Sequence, residues 1–180
     1  MVDVEYRIKE YQDFDLENIV SLDEIQNFLR LPDVDPELEI LRESAIREAE
    51  RYMNRPITKQ AGVIFANKHE FKMPYLPVMG SVAIQDMKNS NGVVTEYTVS
   101  DFDYRIAIDK TVKLPVTINL VWLSDNAEQP VSLKIALLKM IASHYEMRED
   151  AVIAASVSPI PNTSKRILDL YRVGGGSGRL

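Results

Sequence analysis

The chain has 180 residues, 46% of them hydrophobic and 27% charged, which is enough apolar content for a buried core in one ordinary domain. It has no cysteine, so disulfides and thiolate-bound zinc are excluded, and no apolar run reaches the roughly 18 residues a membrane span needs. The net charge of −6 is uneven: residues 1–54 carry −9 and the remainder +3, and an acidic first third lacks the clustered Lys and Arg of a nucleic-acid binder.

Taken in order, residues 1–20 read as an N-terminal arm in which VEYRIKEY has strand character. Ser21 then opens a helix: SLDE places a capping hydroxyl three residues before a glutamate that can reach back, and Pro32 ends the element. A second helix follows from Asp35, with Pro36 at its first position and Glu37 and Glu39 in its first turn, where the macrodipole favours negative charge. Leu38, Leu41, Ala45, Ala49 and Tyr52 mark its apolar face, Glu43 and Arg47 can pair at i,i+4, and Asn54 and Pro56 stop it near Met53.

From about residue 61 the hydrophobic period changes from 3.6 to 2. HEFKM puts His69, Phe71 and Met73 on one face, and SVAIQDMK and VVTEYTV flank an Asn89-Ser90-Asn91-Gly92 turn. YRIAI and VTINLVW continue the alternation, so residues 61–123 read as an antiparallel meander of four to six strands. Pro130 opens a long helix to about Glu149, a Pro/Ser-rich loop follows, and SKRILDLYRV forms a short last helix. GGGSGRL, residues 174–180, is a flexible tail.

The expected fold class is α+β: mainly a helical bundle of about four helices, from residues 21–53 and 130–172, with an inserted antiparallel meander. Residues 21–173 form one domain on this reading.

Catalytic chemistry finds little support. LKMIASHYEMREDAV gathers His144, Glu146, Arg148, Glu149 and Asp150, but on a helix Glu146 lies about 160° from His144. The residue at i+4 from the histidine is Arg148, a cation that would oppose a metal. A packed or hydrogen-bonded histidine is the expectation. There is no GxSxG elbow, and with three glycines (Gly62, Gly80, Gly92) before the tail there is no phosphate-cradling loop. Asp101 and Asp103 read as a solvated turn. The expectation is therefore no enzyme, no metal and no cofactor. Two readings stay open beside it: a small hydrolase or nucleotide-handling enzyme using His144 and Glu146, and a tail-terminator or regulatory binding module. The short last helix cannot be stable alone and must dock, on its own domain or on a partner.

The order of these landmarks resembles the head–tail connector (adaptor or head-completion) proteins of tailed bacteriophages and prophages. SLDEIQNFLRLP is similar to the family's opening helix, and DPELEILRESAIREAERYMNRPI to its long second helix. LPVMGSVAI and DYRIAI match segments of its sheet, PVSLKIALLKMIASHYEMRE its penultimate helix, and ILDLYRV its closing segment. LSDNAEQP departs from the family, which often has a glycine-containing turn there.

The resemblance implies a structural virion protein at the head–tail junction, made in the host cytoplasm. Copies would form a homo-oligomeric ring under the portal protein, meet a tail-completion or stopper protein, and extend the channel through which DNA is packaged. It implies portal contact through Ile167, Leu168, Leu170, Tyr171 and Arg172. Glu37, Glu43, Arg47, Glu48, Glu146, Arg148 and Glu149 are the candidate subunit-interface or channel-facing residues, an acidic surface past which DNA slides without sticking.

Overall fold

The computed structural model describes residues 3–11, 16–33, 35–100, 103–124, 129–147 and 160–173. Backbone contacts divide the chain into two compact units, one of residues 58–124 with the N-terminal strand, the other of residues 15–57 and 125–173.

The first unit is all strand. Its strands are β1 (Val4–Tyr11), β2 (Gln60–Ala66), β3 (Glu70–Lys72), β4 (Gly80–Asn89), β5 (Gly92–Val93), β6 (Tyr97–Val99), β7 (Arg105–Ile108) and β8 (Val116–Ser124). They form two antiparallel sheets, ordered β1-β2-β8-β4-β5 and β3-β7-β6. Alternation dictates which side chains turn inward. Ile64 and Ala66 of β2, Phe71 of β3, Met87 of β4, Ile106 and Ile108 of β7, and Val116, Ile118, Leu120 and Trp122 of β8 share one core. Against it lies an aromatic group: Tyr6 stacks on Tyr75 at 5.0 Å, and Tyr75 meets Trp122 edge-on at 5.2 Å. The Tyr75 hydroxyl donates to Gln60 Oε1 (3.1 Å), and Gln60 Nε2 donates to Thr58 Oγ1 (3.2 Å), so these buried polar groups are partnered.

The second unit is helical: a 3₁₀ turn (Leu16–Asn18), α1 (Leu22–Leu29), α2 (Leu38–Met53), α3 (Val131–Glu146) and α4 (Asn162–Leu168). Local chemistry sets its boundaries. Ser21 Oγ accepts the Glu24 amide (3.1 Å) while the Glu24 carboxylate accepts the Ser21 amide (2.9 Å), a complete capping box. Arg30 and Asn54 adopt left-handed conformations that end α1 and α2. Asp35 still caps the region before α2, its Oδ1 accepting the Glu37 amide at 2.9 Å, but the α-helix proper begins at Leu38. The core comes from Ile19, Val20 and Ile25, from Leu38, Ala45, Ile46, Ala49 and Met53 of α2, from Leu133, Ala136, Leu137, Met140 and Ile141 of α3, and from Leu168. α3 packs on each of the other three helices.

This corrects the expected fold class. The chain is not mainly a helical bundle carrying a meander: among the described residues about 34% are helix and 30% strand, in four helices and eight strands. Nor do the strands run as a meander. β8, the last in sequence, lies between β2 and β4, and three strands leave to make a second sheet. The physical reason is that period-2 alternation reports which face of a strand is buried but not which strand lies beside it. The first strand pairs with β2 across an intervening helical hairpin, from Val4 opposite Ala66 to Tyr11 opposite Gln60.

Candidate interaction surface

The histidine-bearing end of α3 is a packing device. His144 Nε2 lies 3.1 Å from Glu48 Oε2 on α2, with the two side chains 10% and 19% exposed. One residue on, the Tyr145 hydroxyl donates to Asp35 Oδ2 (3.2 Å). The first ties α3 to α2 and the second to the turn that leads into α2. Glu146 is exposed, away from the histidine. Arg148, Glu149 and Asp150 lie outside the described residues. His69 donates from Nε2 to the Val112 carbonyl (3.0 Å), and Asp103 accepts the Arg105 amide and Nε, both at 3.2 Å, a turn contact; its sequence neighbour Asp101 is outside the described residues. Among the described residues no group of three or more His, Asp and Glu converges as a metal site.

The C-terminal segment docks on its own unit. Leu168 is fully buried and Ser164 Oγ donates to the Ala136 carbonyl of α3 (3.1 Å). Ile167 is half-buried, and Tyr171 is held by a 2.5 Å hydrogen bond between its hydroxyl and Ser132 Oγ. The Val173 amide donates to the Met53 carbonyl (3.0 Å), which fixes the segment beside the C-terminal end of α2. Of the five residues expected to meet a portal, Leu170 and Arg172 are the ones left exposed, Leu170 at 76%. The resemblance grouped Leu168 and Leu170 as portal contacts. They part because α4 ends at Leu168 and the next residues turn by i→i−3 bonds.

Tyr52 organises the charge around this end. Its hydroxyl donates to Asp169 Oδ1 (2.6 Å), while Arg172 and Lys165 lie 5.0 and 5.9 Å from its ring. The hydrogen bond to the Asp169 carboxylate raises the phenol above its ordinary value near 10, against a smaller opposing pull from Arg172. A raised phenol means that this bond's contribution to folding is present below the unfolded value and lost as pH rises through the folded one. Asp169→Asn should bring the phenol back towards 10. Ultraviolet titration of tyrosinate, read as the difference from Tyr52→Phe, checks this; an unchanged midpoint in Asp169→Asn would contradict it.

The acidic residues divide. Glu37, at the N-cap of α2, and Glu43, on α2, are exposed, whereas Glu48 pairs with His144. Arg47 lies 3.6 Å from Glu43 and 3.3 Å from Glu50. Sequence reasoning missed two buried charges on the same helix. Arg42 bonds Glu17 and the Val20 carbonyl (3.2 Å), and Glu50 accepts the Ile57 amide (2.8 Å). It also missed Ile40, 71% exposed between acidic neighbours. A lone isoleucine on the polar face of α2 was the available signal.

No protein-family model matches the sequence, and no curated protein sequence does. Solved structures do. The chain is similar to a chain in the neck of an empty gene transfer agent particle computed with C6 symmetry, with a TM-score of 0.67 at 15% identity, over 96% of this chain and 98% of that one. It is similar to a chain of the native gene transfer agent virion, with a TM-score of 0.65 at 14% identity, over 97% and 98%. A third match, in the native particle's neck computed with C12 symmetry, has a TM-score of 0.66 at 15% identity, over 96% and 98%. At these identities the shared property is the fold, across nearly the whole of both chains.

Proposed function

We propose that this chain is a structural subunit of the neck of a phage-like particle, where copies form a ring that joins capsid to tail. The observation that carries the reading is a fold shared end to end with chains of particle necks, two of them computed with six- and twelvefold symmetry. The packing role of His144 also favours it over the enzyme reading, because a partly buried His–Glu pair between two helices is a structural tie.

In the finer proposal the ring sits between a portal protein and a stopper or tail-completion protein and lets DNA pass without sequence-specific contacts. The acidic face of α2 at Glu37 and Glu43 and the exposed edge of the C-terminal segment at Leu170 and Arg172 are its contact surfaces. Among the described residues no helix is long and apolar enough to cross a membrane.

Particles assembled without this chain should show closed heads with no tails attached in electron micrographs, and adding the purified chain back should restore joining. Normal tailed particles in its absence would overturn the reading.

A further inference from the structure

We propose that copies of this chain join head to tail through their helical units: Leu170 and its basic surround in one copy seat on Ile40 and its acidic surround in the next. This rests on the ring reading and names the occupant of the two surfaces that reading leaves open.

Two exposed apolar side chains on the helical unit are framed by opposite charge. Ile40 is 71% exposed on α2, with Glu37, the N-cap, three residues before it and Glu43 three after it. Across residues 33–44 the exposed charges, Asp33, Glu37, Glu39 and Glu43, are all negative. The cation in that stretch, Arg42, faces inward to Glu17 and the Val20 carbonyl. Leu170 is 76% exposed, beside half-exposed Val173, with Arg166 four residues before it and Arg172 two after it, both exposed. The carboxylate in that segment, Asp169, already accepts the Tyr52 hydroxyl. An apolar centre with a charged rim is the anatomy of a protein interface, and rims of opposite sign favour one orientation of approach.

The two patches cannot satisfy each other within one copy. The Met53 carbonyl holds Val173 at the C-terminal end of α2, and Ile40 lies thirteen residues up the same helix, about 20 Å away at 1.5 Å per residue. Each patch therefore needs its complement from another molecule. Contact between two different patches is heterologous, and repeated with closing rotation it makes a ring.

Because the chain has no cysteine, introduced cysteines report only their own positions. Ile40→Cys and Leu170→Cys variants would be purified separately, mixed at high concentration and treated with a short bis-maleimide, with light scattering run alongside. Unlike pairs should form about fivefold more than like pairs. Glu37→Lys/Glu43→Lys on the Ile40→Cys chain should abolish that excess, and Arg166→Glu/Arg172→Glu on the Leu170→Cys chain should restore it. These positions are exposed, and circular dichroism confirms that each variant is folded. Assembly seen by scattering without an excess of unlike pairs overturns this interface and leaves the ring reading standing. Absence of both assembly and crosslinks also overturns it, and imaging of particles lacking the chain then decides the ring reading separately.

Discussion

Gly62→Ala is expected to destabilise the chain by about 3 kcal/mol, an unusually large effect for adding one methyl group. Gly62 lies in β2, and a Cβ built there would sit 2.2 Å from Trp122 Cζ3, 2.5 Å from Cη2 and 2.7 Å from the Arg7 carbonyl oxygen. None of these is a tolerable carbon contact, so either the indole or β1 must shift. The indole has nowhere to go: Trp122 is fully buried, with the Tyr75 ring at 5.2 Å and the Tyr6 ring at 6.3 Å. Its Nε1 has no hydrogen-bond partner among the described residues, so close packing alone holds it. Gly→Ala would normally gain about 0.4–1 kcal/mol by restricting the unfolded chain, which is too little to offset overpacking of this kind. Urea denaturation measures the cost. In a Trp122→Phe background the same substitution should cost about 1–2 kcal/mol less, because the two indole clashes are gone and only the contact with the Arg7 carbonyl remains. A Gly62→Ala chain within about 0.5 kcal/mol of the parent would show that the two strands can part.

The second large effect is at Glu50, which is 2% exposed. Its carboxylate accepts the Ile57 amide at 2.8 Å and lies 3.3 Å from Arg47 Nη1, while its backbone carbonyl accepts the Arg55 amide at 3.2 Å. One residue thus closes the end of α2 and holds the turn that leaves it. Glu50→Ala strands a buried amide and removes a charge partner, and is expected to cost about 3 kcal/mol. Glu50→Gln keeps an acceptor for Ile57 and should cost about 1 kcal/mol, the charge-assisted share. Thermal unfolding of the two variants side by side decides. Equal losses would mean that the ion pair to Arg47 matters and the amide does not.

These two positions also show where sequence reading stops. Helix ends were legible because their signals are local: Ser21 with Glu24, Asn54 in a left-handed turn, and Pro130 before α3 each act within four residues. The buried face of α2 was half legible. Leu38, Ala45 and Ala49 face inward as their spacing demands, but Leu41 and Tyr52 are only partly buried, and Arg42, Ile46, Glu50 and Met53 take the remaining inward places. A charged residue reads as outward until its partner is known. Here the partners are Glu17, a distant carbonyl and the Ile57 amide. Strand identity was legible from alternation, whereas membership of a sheet was not, because β8 finds β2 on one side and β4 on the other through contacts far apart in sequence. At the candidate surface, the resemblance grouped Leu168 with Leu170, but Leu168 is fully buried whereas Leu170 follows the end of α4 and is exposed.

The two units are interleaved along the chain, and that orders events during synthesis. β1 is made first and waits for β2 while α1 and α2 emerge between them. The inner face of α2 then stays without α3 until the whole of β2 to β8 has been translated. At roughly 5–20 residues per second that wait is on the order of 5–20 seconds, during which α2 remains without the helix that packs on it. The strand unit can close on the ribosome, whereas the helical unit that carries the contact surfaces is completed last.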